Sequence, residues 1–154
     1  MRDAEEFRYL VLAVQREGNR ILAAALRPLG LTPSQAEVVS VLDDRGPLTL
    51  SGLGELLVCE TGGNPSRLVD RLVTAGIVER TTSANDRRHV TLTLTTAGRQ
   101  LAERVRPVQD DLNNALEDML AGQPIAPTLS TLRAVADRFP AGETVRRRKE
   151  TPAS

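Results

Sequence analysis

The chain carries apolar residues in heptad spacing near both ends. Phe7, Val11, Val14, Gly18, Ile21 and Ala25 follow one another at intervals of 4, 3, 4, 3 and 4, and Leu101, Val105, Val108, Leu112, Ala115 and Met119 repeat those intervals. Such spacing lays one apolar stripe along one side of a helix, and a stripe of that kind needs a second helix against it. The first helix, from about Asp3 to Leu29 with Gly30 after it, would be about 40 Å long. That is long for a chain of 154 residues, which fits one domain. A second copy of the chain, with the terminal helices of both copies interleaved, is the expected partner. The plain alternative is that the two stripes pack on each other within one chain.

Between the stripes lie short elements with clear punctuation. In LTPSQAEVVSVLDDRG, Thr32 is the expected N-cap, Pro33 the first helical residue and Gly46 the stop. LTLSGLGELLV reads as a second short helix with Leu53, Leu56 and Leu57 inward, and CETGG as a turn. NPSRLVDRLVTA reads as a third helix, capped by Asn64, begun by Pro65 and stopped by Gly76. Ile77–Arg80 and Val90–Leu94 alternate like two strands joined by the loop Thr81–His89. Thr95 or Thr96 caps the helix of the second stripe, with Pro107 inside it as an expected kink. GQPIAP breaks the chain before a last helix in TLSTLRAVADRF.

The expected fold class is therefore mainly α with a small β-hairpin (α+β): a helix-turn-helix followed by a two-stranded wing. The divisions are a dimerisation helix over 1–30, a winged helix-turn-helix lobe over 31–95, dimerisation helices over 96–139 and a disordered tail over 140–154, all within one structural domain. The polar composition after Pro140 is what suggests a frayed tail.

The third short helix is divided by polarity. At about 100° per residue, Pro65, Leu68, Val69, Leu72, Val73 and Ala75 occupy one half of the helical wheel. Asn64, Ser66, Arg67, Asp70, Arg71 and Thr74 occupy the other. An ordinary amphipathic surface helix has the same partition. As the second helix of a tight helix-turn-helix, however, it would turn its polar half outward, with its N-terminal residues at base edges in a major groove. Asn pairs bidentately with adenine and Arg with guanine. Ser66 suits a base or a phosphate, and Asp70 suits holding Arg67 or Arg71 in position. The wing tip, SANDRRHV, carries Asp86, Arg87 and Arg88. A wing beside a reading helix lies over the minor groove, where Arg is drawn by the negative potential, and Asp86 would steer one Arg side chain. A solvated hairpin with a surface ion pair is the bland alternative.

Charge supports this only mildly. The net charge is zero, but residues 64–94 hold five arginines against three acids, while residues 103–139 hold four arginines against six acids. One Cys and one His leave no internal disulfide, no metal-ligand cluster and no nucleophile–base pair. With no phosphate-cradling glycine loop either, neither an enzyme nor a cofactor is expected. No run of about 18 apolar residues is present, so no membrane helix is expected. Three acids among the first six residues are wrong for a secretory signal, and the cytoplasm is expected.

The stretch GNPSRLVDRLVTAGIVERTTSANDRRHVTLTLTTAG, residues 63–98, resembles the MarR family of bacterial transcriptional regulators. The likeness lies in the reading helix, the Gly-Ile-Val-x-Arg step into the first strand, the Asp-Arg-Arg wing and the Leu-Thr-x-x-Gly start of the long helix. The helix order extends it over about residues 5–139. The resemblance implies a homodimer with one winged helix-turn-helix per subunit, bound to a pseudo-palindromic duplex DNA operator, commonly as a repressor. It also implies release by a small, often phenolic or anionic, effector or by thiol oxidation. Asn64, Ser66, Arg67 and Arg71 match the DNA-facing helix, and Asp86 and Arg88 match the wing's acid and its minor-groove Arg. Pro65 departs from the small or β-branched residue usual there, and it removes a backbone N–H from that turn.

The family's effector pocket lies between the dimer helices and the reading lobe. Here it would draw on the first helix and the Thr32–Asp44 helix, with Tyr9, Arg16 and Arg20 as candidates for an anionic ligand and surface or dimer contacts as the alternative. Cys59 lies in the turn before the reading helix, not near the start of the first helix as in oxidation-sensing members. A redox variant using Cys59 stands beside the reading of that residue as a small buried filler. Arg146, Arg147, Arg148 and Lys149 suit either non-specific phosphate contacts or a solvated tail. A winged-helix module that grips a protein partner is the alternative function.

Overall fold

The computed structural model describes residues 1–59, 65–82, 85 and 88–150. Helix α1 (Asp3–Leu26) leads through a single 3-10 turn, Arg27–Leu29, into α2 (Pro33–Arg45). Then come α3 (Leu50–Gly54), α4 (Ser66–Thr74), strands β1 (Val78–Thr82) and β2 (Val90–Leu94), α5 (Thr96–Leu120), α6 (Ile125–Ala136) and α7 (Pro140–Lys149). The caps that the sequence announces are made. Thr32 Oγ1 accepts from the Gln35 N–H at 3.2 Å and Gln35 Oε1 accepts from the Thr32 N–H at 3.0 Å. This capping box satisfies two donors that the first turn of a helix leaves without partners. Thr49 caps α3 in the simpler way, its Oγ1 accepting from the Gly52 N–H at 3.0 Å.

The core belongs to the middle of the chain. Leu26, Val38, Val39, Leu53, Val69, Leu72, Val78, Leu92 and Val105 are buried essentially completely, and removing a Val or Leu side chain from water contributes about 1.5–3 kcal/mol. These residues come from the end of α1, from α2, α3, α4 and both strands, and from the first half of α5. β1 and β2 pair antiparallel from Val78–Leu94 to Thr82–Val90. Leu48 adds a short third rung, its N–H donating to the Leu92 carbonyl at 3.1 Å and its carbonyl accepting from the Leu92 N–H at 2.6 Å. That rung ties the segment between α2 and α3 to the wing.

Outside this lobe the helices are bare on their apolar sides. In α1 only Leu26 is buried, and α6 has no buried residue. Leu10, Val14, Met119 and Phe139 are 58, 65, 71 and 60% exposed. The two heptad stripes do face each other, but across a cavity of about 370 Å³ lined from α1 by Val14, Gly18 and Ile21 and from α5 by Leu112, Ala115 and Met119. A second groove of about 610 Å³ runs between α1 and α6, lined by Phe7, Leu10, Val11, Val14, Thr128 and Leu132.

The elements depart from the sequence-based expectation in several places. α4 starts at Ser66 with Pro65 as its N-cap, one residue later than expected. β1 runs two residues beyond Arg80, because Thr81 and Thr82 find partners in Thr91 and Val90. α5 is one continuous helix through Pro107, which forgoes a single N–H donor. α6 begins at Ile125, inside the expected break, because Pro127 falls in its first turn, where no N–H partner is needed. The frayed tail expected from Pro140 on is a ten-residue helix over its first part, with 151–154 outside the described residues. Its polar side chains are paired with distant carboxylates, a source of order that composition does not carry.

Candidate nucleic-acid interface

The reading helix is set in place by its apolar half. Val69 and Leu72 are fully buried, Leu68 and Val73 half-buried. Arg67, Asp70, Arg71 and Thr74 are exposed, and Ser66 is half-buried at the first turn. Ala75, expected on the core side, is exposed because it lies at the C-cap, past the last helical residue. Pro65 is buried. A Cβ added to Gly54 would lie 3.4 Å from the Pro65 ring, so Pro65 stands opposite the end of α3 with room for little more than a methyl group between them.

The exit of α4 is equally determined. Gly76 has φ +73°, the left-handed conformation that suits glycine, and the Ile77 N–H reaches back to the Leu72 carbonyl at 2.9 Å while the Gly76 N–H bonds to Val73 at 3.0 Å. Thr95, the N-cap of α5, closes the same corner. Its Oγ1 donates to the Gly76 carbonyl at 2.6 Å and accepts from the Gly98 N–H at 3.0 Å, and its own N–H donates to the Ile77 carbonyl at 3.0 Å. Gly98 lets the helix approach this closely, since a Cβ there would lie 2.1 Å from the Ile77 carbonyl oxygen. The Leu-Thr-x-x-Gly start of the long helix is therefore a joint between the reading helix, the wing and α5.

Asp70 does not hold Arg67 or Arg71, as expected, but pairs with Arg80 of β1. The strand passes close beside α4, which puts Arg80 in reach of a residue that sequence spacing assigns to its own helix. The pair braces the wing against the helix and leaves no ion pair among the described residues to Arg67 or Arg71. Arg88, at the far end of the hairpin, is exposed. Asn64, Asp86 and Arg87 lie outside the described residues. Cys59 is exposed, so it is not a core filler; its N–H donates to Glu37 Oε2 at 2.8 Å.

The effector candidates are less well collected. Tyr9 is exposed under the Arg8 guanidinium, 4.2 Å from its ring centre, and Arg20 pairs with Glu17 at 2.8 Å. Neither these nor Arg16 lines the grooves beside α1. At the junction of α2 and α5 lies a cavity of about 260 Å³ with Asp43, Asp44 and Asp110 against Arg106, an acid excess that does not favour an anion. Among the described residues no cluster of three metal-ligating side chains occurs, and no helix is long and apolar enough to cross a membrane.

The residue that sequence reasoning missed is Glu37. It is 8% exposed, inside α2 between Ala36 and Val38. Oε1 accepts from the Val58 N–H at 2.8 Å and from Arg148 Nη1 at 3.1 Å. The signal was an acid within an apolar run; its partners lie 21 to 111 residues away.

Comparison with known proteins agrees with this architecture. The sequence model of the MarR family matches residues 29–89. The multiple antibiotic resistance protein MarR of Escherichia coli (strain K12) is 32% identical over 118 residues, 76% of this chain and 81% of that protein. The uncharacterized HTH-type transcriptional regulator YcgE of Bacillus subtilis (strain 168) is 36% identical over 88 residues, so this chain spans little more than half of it, 56%. Among solved structures, a mutant MarR from E. coli complexed with operator DNA superposes with a TM-score of 0.72 at 30% identity, covering 84% of this chain and 93% of that one. The S. aureus MepR–DNA complex shares the fold, with a TM-score of 0.77 at 21% identity over 86% of this chain and 98% of that one. In lobe, joint and sequence alike, this chain belongs to the MarR family of transcriptional regulators.

Proposed function

We propose that the protein is a homodimeric repressor that binds a pseudo-palindromic duplex operator in the cytoplasm and releases it on binding a small effector. The reading helix α4 enters the major groove, with Ser66, Arg67 and Arg71 at bases and phosphates and Asn64 at its head. The wing follows the adjacent minor groove with Arg88 and Arg87, steered by Asp86. The observation that carries this reading is the exposed Arg67–Arg71 face of a helix whose other face packs on the core through Val69 and Leu72. Asp70, the acid on that face, is drawn away to Arg80.

The dimer is supported by the bare stripes of α1, α5 and α6. A soluble monomer rarely leaves so much contiguous apolar surface open, and the two grooves beside α1 are lined almost wholly by apolar side chains. A C2 pair then presents two reading helices about 34–36 Å apart, one turn of duplex.

Fluorescence anisotropy with duplex from the gene's own upstream region tests the reading. Arg67→Ala is expected to weaken binding about 5- to 150-fold, the worth of one bidentate base contact. Arg88→Ala is expected to weaken it less, and both variants should remain folded dimers. Unchanged affinity in both variants refutes the interface. Binding that falls steeply with salt marks phosphate contacts, and a flat salt response would point to a protein partner instead.

A further inference from the structure

Helix α7 has almost nothing apolar to hold it: Gly142, close against the Ala136 carbonyl, is its one buried residue. It is held by charge. Arg147 pairs with Glu55 just past α3 and with Glu143 of its own helix. Arg45 of α2 donates to the carbonyls of Arg148 and Glu150 at 2.9 and 2.6 Å, covering the C-terminal end of α7. Arg148 Nη1 donates to Glu37 Oε1 at 3.1 Å and to the Leu56 carbonyl at 3.2 Å. Three of the four cations in the run 146–149 are thus engaged with carboxylates of the chain itself.

Glu37 is where this network meets the reading lobe. Its two oxygens take the N–H groups of Val58 and Cys59, the last described residues before Pro65. A carboxylate this deeply buried is costly unless a cation and several donors compensate it, and Arg148 is the cation. The segment it holds is coupled onward by packing. Leu56 and Leu57 are buried in the core, and Pro65, the buried N-cap of α4, stands opposite Gly54 at a spacing that a single added Cβ would fill.

We propose that α7 is a strap, in which Arg148, acting through Glu37, is a positioning residue for the approach to the reading helix, so that the C-terminal segment sets operator affinity. The proposal rests on the DNA-binding reading above. Arg148 does not itself touch DNA; its guanidinium is turned into the protein, onto Glu37 and Leu56. Its removal leaves a buried carboxylate short of its cation and loosens its hold on the Val58 and Cys59 N–H groups.

The test uses the full-length dimer with Arg148→Ala and Arg148→Lys. Hydrogen exchange is read first, without DNA. Arg148→Ala is expected to speed exchange of the Val58 and Cys59 amides about tenfold, while core amides such as Val39 and Leu72 keep their protection. Arg148→Lys, which can still reach Glu37, should restore part of it. Binding to the upstream duplex is read next, across a salt series. Affinity is expected to fall about tenfold in Arg148→Ala, the worth of one hydrogen bond to a charged group, with the salt slope unchanged. Unchanged exchange at Val58 and Cys59 overturns the strap. A slope lowered by about one makes Arg148 a phosphate contact and overturns it too. Faster exchange with unchanged affinity separates the strap from DNA reading and refutes the coupling. If the wild type binds no duplex, the operator reading fails and the affinity claim with it, while the exchange result still decides whether Arg148 holds the turn.

Discussion

Glycine within a helix is ordinarily a weakness, and changing it to alanine contributes up to about 1 kcal/mol of stability. At Gly98 the sign should reverse. The added methyl carbon would stand 2.1 Å from the Ile77 carbonyl oxygen and 3.2 Å from Leu94 Cβ, where carbon and oxygen need well over 3 Å. The obstacle is backbone held in the turn after α4, so α5 must draw back by about 1 Å. Drawing back stretches the Thr95 bonds to Gly76 and Ile77, which stand at 2.6 and 3.0 Å. Overpacking of this kind costs about 1–3 kcal/mol, and each weakened hydrogen bond about 0.5–1.5 kcal/mol more. Net of the propensity gain these terms span about 1–5 kcal/mol, and Gly98→Ala should destabilise by about 3 kcal/mol, the middle of that span. Urea unfolding followed by circular dichroism at fixed protein concentration reads this as a midpoint lowered by about 1–2 M with an unchanged slope. A midpoint equal to or above that of the wild type would refute the joint as described.

Two further outcomes test other parts of the molecule. Val14 lines both grooves beside α1 and is 65% exposed in the single chain; Val14→Glu should leave each subunit folded yet raise the dimer dissociation constant by on the order of 100-fold or more, with sedimentation reporting the halved mass. The Arg147 guanidinium beside Glu143 holds that carboxyl below its ordinary value of 4.5. A lowered folded value means the contact's contribution is present above the ordinary value and is lost as pH falls through the lowered one. The carboxyl carbon of Glu143 should therefore titrate below 4.5 by NMR and move up toward it in Arg147→Ala, with Arg146 still nearby.

What could be read from the sequence was whatever depends on near neighbours. Thr32 and Gln35 are three residues apart and their box forms as read. The polar and apolar halves of α4 separate as the 3.6-residue repeat requires, and the second wing strand forms over Val90–Leu94 as read. What escaped depends on contacts across the fold. Asp70 is within a turn of Arg67 and Arg71 along the chain, yet Arg80 reaches it from the neighbouring strand. The tail looked unstructured because its own composition is polar; its order comes from Glu37, Glu55 and Arg45, about 90 to 110 residues away. Pro65 looked like an intrusion because its partner, Gly54, lies in the preceding helix.

The corner shared by Gly76, Thr95 and Gly98 has a mechanical consequence. Reading helix, hairpin and the root of the long helix are pinned at one point, so they turn as a single rigid body. A tilt of the long helix is then delivered undamped to the arginine face, like a hand on the stem of a key. In the proposed dimer, the distance between the two keys would follow from the angle at which the stems cross.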